Sequence, residues 1–226
     1  FFYLFGYEAI IFALACSYIF YIKRIYSIFT EIKIDFSLVK QRIGFITNNY
    51  LAFISAGLGG QVDKIIVAPL LGFAILGNYS LALQIINVMM IFPSVLYKYL
   101  LPEESTGASN KRVKIFVIIF SILISVLGIF IAPMLIENFF PKFIEAIDAI
   151  RIMSLVVIPS SIALILEAQF LGKERSKIVI IGTGISLVFL TIGMIVLGSW
   201  FGIIGVAWSL VIATIAKTSF YLIKNF

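Results

Sequence analysis

The chain has 226 residues, of which 62% are hydrophobic and only 12% charged, with a formal net charge of +6 and a mean hydropathy of +1.15. A soluble domain averages about half apolar and about a quarter charged, so this composition excludes an ordinary water-soluble globule and marks an integral membrane protein. Histidine is absent and Cys16 is the sole cysteine, which removes an internal disulfide framework, His-based triads, His-ligated zinc and a histidine pH switch.

A span needs ~20 mostly apolar residues to cross a hydrocarbon core of ~30 Å. Seven such runs follow one another, near 1–22, 43–70, 76–101, 113–136, 149–171, 178–198 and 203–223. All read as helices, because a chain in lipid must satisfy its own backbone groups and no two-residue alternation of a barrel is present. The expected fold is therefore an all-α, polytopic bundle of about seven transmembrane helices.

The first run begins at Phe1 with neither methionine nor a charged leader, so it is not a secretory signal. It is expected to lie inside a longer protein. Glu8 interrupts it about a third of the way from its outer end. Residues 23–42 mix charges with Ile, Tyr and Phe at helix-like spacing, the pattern of a linker lying on the inner membrane surface. The same segment suits a tether between two bundles.

The second run carries Asn48 and Asn49 low down, then GLGGQVDK over 57–64, then Pro69. Charge inside a span costs at least ~2.5–3.5 kcal/mol, so such residues usually face a cavity or a partner. Asp63 and Lys64 are neighbours in sequence and do not face each other on a helix. They lie ~31 Å beyond Arg42 along a straight helix, toward the outer face. Gly57, Gly59, Gly60 and Pro69 point to a bent or broken helix, and broken helices line transporter cavities. Asp63 thus has two readings, a cavity group or a marker of the outer boundary. For Lys64 the boundary, with the side chain snorkelling, is favoured.

On the third run Gln84 and Asn87 are three apart and share a face. Glu103 and Glu104 read as loop charges, solvated or capping the next helix. Asn78-Tyr79-Ser80 is a glycosylation sequon too close to the membrane to be modified. Arg151 lies near the outer start of the fifth run, with Glu167 and Gln169 near its inner end. GTGIS at 182–186 reads as close helix packing. Trp200, Phe201 and Tyr221 sit at span ends as interface anchors do. Each lone polar residue is more often a helix–helix hydrogen bond than a ligand contact. Together they describe a polar seam through the bundle, which a transporter of a polar substrate needs and which also reads as packing glue.

Basic residues collect in alternate connections. Lys23, Arg24, Lys33, Lys40 and Arg42 flank the first; Lys98, Lys111, Arg112 and Lys114 the third; Lys173, Arg175 and Lys177 the fifth; Lys217 and Lys224 the end. Only Lys64, Lys142 and Arg151 lie elsewhere. By the positive-inside rule the basic connections and the C-terminus are cytoplasmic, in a multi-pass protein of the cell membrane. The excess charge is a topology signal and argues against a nucleic-acid partner. Neither a phosphate-cradling loop, a nucleophile elbow nor a set of metal ligands occurs. The clustered His, Asp or Glu of a membrane enzyme is missing too, so no catalytic residue, metal or cofactor is expected.

VDKIIVAPLLGFAILGNYSLALQI resembles the D-x-I-I, L-G-x-x-x-L-G-x-Y-x-x-A pattern of Wzx-type polysaccharide flippases. These belong to the multidrug/oligosaccharidyl-lipid/polysaccharide exporter superfamily. FLGKERSKIVIIGTGISLVFLTIGMIVLGSWFGIIGVAWSLVIATI is similar to the tail of that family. The resemblance covers nearly the whole chain as a C-terminal half. It implies a two-lobed transporter with a cavity between the lobes. Residues 1–22 would be the last helix of the first lobe, 23–42 the cytoplasmic linker and 43–226 a six-helix second lobe. The missing N-terminal lobe, membrane lipids and a lipid-linked glycan would be the partners, and H+ or Na+ the coupling ion. Such proteins move lipid-linked oligosaccharides to the outer leaflet by alternating access. Asp63 matches the family's acidic position in the lobe's first helix; Lys64, Gln84, Asn87, Asn48, Glu8, Arg151 and Glu167 complete the candidate substrate or ion path. Few basic residues lie inside spans here, so pyrophosphate recognition would fall to the other lobe. An ion-coupled small-molecule exporter and a non-transporting membrane scaffold are the competing expectations, the latter including a truncated product.

Overall fold

The computed structural model describes residue 16 and residues 36–107 and 110–225, with only the backbone described at 38, 39, 52, 55, 56, 58–60 and 62. Contacts divide the chain into two units, Phe1–Ile43 and Gly44–Phe226. In the first, α1 (Ser37–Gln41) is a single short turn of helix. The second is made of helices joined by short turns: α2 (Ile43–Leu71), α3 (Phe73–Met89), α4 (Ile91–Ser105), α5 (Lys111–Phe139), a 3-10 helix (Pro141–Ala146), α6 (Ile147–Ser154), α7 (Val157–Gly172) and α8 (Ser176–Asn225).

Two of these helices, α5 and α8, are long and apolar enough to cross a membrane. The number rises to four if each of two bent pairs counts as one crossing: α3 with α4, bent by 46°, and Pro141–Ser154 with α7, bent by 43°. The seven separate spans expected from the sequence are thus not reproduced as seven continuous helices. The first of them, apart from residue 16, lies outside the described residues. Proline accounts for both bends. Pro93 and Pro159 have no N–H to return to the preceding turn, so each helix breaks just ahead of its proline.

Gly202 divides α8. Its φ of 57° and ψ of −134° are not helical, and a positive φ costs glycine nothing. The chain folds back there into two antiparallel arms. A Cβ on Gly198 would sit 3.3 Å from Val206, one on Gly193 2.9 Å from Ser209, and one on Gly182 against the Tyr221 ring. Small residues let the arms approach this closely, the usual device of helix packing in lipid. GTGIS therefore does serve helix packing, through Gly182.

The buried stripe of α5 follows the same logic. Val117, Ser121, Ser125, Gly128, Ala132 and Ile136 recur at helical spacing and are all buried. Ser121 Oγ donates to Ser161 Oγ at 2.7 Å, and Ser125 Oγ to the Ser154 carbonyl at 2.9 Å. These bonds seat α5 on α6 and α7. The central core is formed by Tyr79, Ile86, Ile150, Met153, Val157, Met194 and their neighbours.

The two ends of the bundle differ in charge. At one end Gly172 abuts the Glu104 backbone, Lys114 pairs with Glu104, and Tyr221 meets Val179. This gathers the ends of α4, α7 and α8 with the starts of α5 and α8, and with them the basic clusters at 111–114 and 173–177. At the opposite end lie Gly72, the 3-10 helix and Gly202. Phe143 there covers Gly77, and Leu70 and Leu71 approach Gly198. Glu104 is not a loop charge, as the sequence suggested, but a buried residue within α4.

Candidate substrate path

Helix α2 runs unbroken through Gly57, Gly59 and Gly60, contrary to the break expected there. A mid-helix glycine costs only about 1 kcal/mol. The interruption comes at Gly72, where φ is 86°, and the chain reverses into α3. That reversal lays the start of α3 beside the last turns of α2.

Asp63 is consequently buried, 3% exposed. Its Oδ2 accepts from the Tyr79 hydroxyl at 2.9 Å, and its Oδ1 from the Lys64 backbone N–H at 2.7 Å. Tyr79 is wholly enclosed. The acid and the tyrosine of the D-x-I-I and G-N-Y stretches are thus direct partners. The Lys64 side chain is exposed and takes no part. One residue before Tyr79, buried Asn78 donates through Nδ2 to Glu145 Oε2 at 3.2 Å. The sequon asparagine is therefore occupied inside the fold.

A double-mutant cycle tests the Asp63–Tyr79 bond. Asp63→Ala leaves a buried phenol without an acceptor and is expected to cost about 1–3 kcal/mol. Tyr79→Phe should couple to it by about 1 kcal/mol, in the range of hydrogen bonds between membrane helices. Denaturation in lipid bicelles measures both, and strictly additive effects would refute the bond's contribution.

Glu167 also differs from a free ligand group. Its Oε1 pairs with the Lys217 ammonium and accepts from the Tyr221 hydroxyl at 2.9 Å. Tyr221, expected at an interface, is fully buried, and its hydroxyl also reaches the Val179 carbonyl at 3.1 Å. Arg151 bonds the adjacent Asp148 at 3.1 Å on an exposed surface. Glu8 lies outside the described residues.

Gln84, Asn87 and Asn48 do not converge on Asp63. Gln84 and Asn87 are exposed on α3. Gln84 borders an otherwise apolar groove of about 430 Å³ between α3 and α5. Asn48, half-buried, lines a second opening of about 430 Å³ beside Glu174–Ile178 at the basic end. The seam expected through the bundle is therefore a polar side of it. On α5 every exposed position over 115–135 is apolar, as is every one on α8 over 181–196 and 204–215. On α2 and α3, by contrast, Thr47, Asn49, Gln61, Gln84 and Asn87 stand exposed among the apolar residues.

Sequence reasoning missed Tyr79, Lys217 and Tyr221 as partners, and Asn78 with Glu145. The serines of α5 carried a visible signal, since Ser121, Ser125, Gly128 and Ala132 repeat at helical spacing. Among the described residues no three acids gather into one cluster: Asp63 holds a phenol, Glu104 an ammonium, and Glu167 both an ammonium and a phenol. No family model matches the chain, and neither a curated protein nor a solved structure matches it.

Proposed function

We propose that the chain is the second lobe of a membrane transporter that carries lipid-linked oligosaccharides from the cytoplasmic to the outer leaflet. In this reading α2, the α3–α4 pair, α5, the α6–α7 pair and the two arms of α8 are its six spans. The basic end faces the cytoplasm.

One observation carries the reading. Exposed amides and hydroxyls lie on α2 and α3, whereas the exposed faces of α5 and α8 are apolar over most of their length. Polar side chains cost free energy against lipid tails. The exposed faces of α2 and α3 therefore suit a water-filled path or a second lobe and those of α5 and α8 suit lipid, the two meeting at the groove that Gln84 shares with Leu127, Ile131 and Leu135. A glycan head needs such a path, while its lipid tail stays in the bilayer. Asp63, Glu104 and Glu167 are each engaged by a side chain within the fold, which fits a sugar carrier better than a cation-coupled drug exporter. The sequence resemblance points the same way.

Cysteine accessibility tests the assignment. In a Cys16→Ser background, Gln84→Cys and Asn87→Cys are expected to react with a membrane-impermeant thiol reagent in intact membranes. Leu123→Cys, on the apolar face of α5, is expected to stay unreactive. Equal protection of all three would contradict a water-filled path along α3.

A further inference from the structure

Opposite the basic end, the reversal after Gly72 and the 3-10 helix enclose an open groove of about 530 Å³. Gly77 and Asn78 line it from α3, and Phe73, Phe143, Lys142 and Glu145 complete its walls. Phe143 lies over Gly77, its Cε1 3.9 Å from the point a Cβ would occupy. Phe73 is 82% exposed, an aromatic ring offered to whatever enters. The Asn78 amide, buried beneath, holds the Glu145 carboxylate through Oε2. That leaves Oε1 available to a ligand.

We infer that this groove binds a neutral sugar ring of a glycan on the outer side of the membrane. The inference rests on the transport reading above and adds a glycan subsite to it. A sugar ring has an apolar face of C–H bonds that lies against an aromatic ring, and an edge of hydroxyl donors. The groove supplies the Phe73 and Phe143 rings for the first and a carboxylate oriented by Asn78 for the second. Hydrogen bonds to a charged acceptor are the stronger kind. Lys142 offsets the charge of Glu145, so the site is nearly neutral and favours neither a phosphate nor a free cation.

Saturation-transfer NMR on the whole chain in lipid nanodiscs tests this, with methyl glucoside and methyl N-acetylglucosaminide as probes. At least one is expected to receive saturation from the protein. Phe73→Ala and Glu145→Gln should each weaken binding by about tenfold, the effect of losing one charge-assisted bond or a stacked ring. Phe73 is too exposed for its truncation to unfold the chain, and Asp148→Asn, outside the groove, should leave the signal unchanged. A glucosylated diacylglycerol in the disc separates the sources. Competition assigns the groove to a lipid-borne glycan, and binding without competition assigns it to a free one. No transfer to either sugar, or transfer indifferent to both groove variants, overturns the proposal. Neither readout requires transport, so the groove and the transport reading fail independently.

Discussion

Replacing Gly205 with alanine is expected to open the α8 hairpin and to yield little folded protein. A Cβ at this position would be driven into the Leu197 carbonyl and would also press on the Gly198 nitrogen, 2.9 Å away. Backbone cannot rotate aside as a side chain can, so the two arms must separate near Gly202. Separation unpacks Gly193 from Ser209 and Gly182 from Tyr221 along the whole hairpin. Overpacking a well-filled core typically costs about 1–3 kcal/mol, and a clash with backbone belongs at the top of that range or above it. Gly184→Ala is the control, because nothing lies within 4 Å of its Cβ position. Thermal unfolding of the two variants in detergent should show a large drop for the first and almost none for the second. Equal midpoints would disprove the close antiparallel packing of the arms.

The second large effect is expected at Glu167. Its side chain is 13% exposed and that of Lys217 21%. Glu167→Ala strands the ammonium and removes one of the two acceptors of the buried Tyr221 hydroxyl, leaving the Val179 carbonyl. Breaking a buried pair costs about 3–5 kcal/mol, and the partial exposure here lowers the expectation to about 2–4 kcal/mol. Lys217→Met alone should cost less, since Glu167 keeps the tyrosine. The double variant Glu167→Ala, Lys217→Met should recover part of the loss, because no charge is then stranded. Denaturation midpoints of the three variants measure this. A double variant worse than the sum of the two singles would show that the pair is not coupled in this way.

The sequence made the charge asymmetry of the two ends visible, because topology is written in short basic links that need no tertiary information. It also exposed Asp63 as an anomaly, since an acid amid an apolar run needs a partner. The partner itself could not be read. Tyr79 lies sixteen residues on, across the reversal at Gly72, and which side chains meet depends on the angle of that reversal. The glycines at 57–60 looked like breakers. Helix persists there because backbone bonds have no substitute in lipid, and the cost of each glycine is small beside losing them. Tyr221 and Trp200 gave the same signal at span ends. Trp200 is 75% exposed, while Tyr221 is drawn inside by Glu167, fifty-four residues earlier in the chain. Long-range pairs of this kind depend on how helices assemble, and hydropathy along the chain does not encode that.

In the transport reading the protein moves a glycan along the polar side of α2 and α3. The most direct measurement deletes the full-length gene and asks which leaflet holds the lipid-linked oligosaccharide, using a membrane-impermeant glycan-modifying reagent on intact cells. Complementation compares wild type with Asp63→Ala at matched protein levels. The expected result is precursor trapped unreactive inside the deletion strain, exposure restored by wild type, and exposure reduced with Asp63→Ala. Unchanged exposure after deletion, in cells without a redundant flippase, would contradict the transport reading.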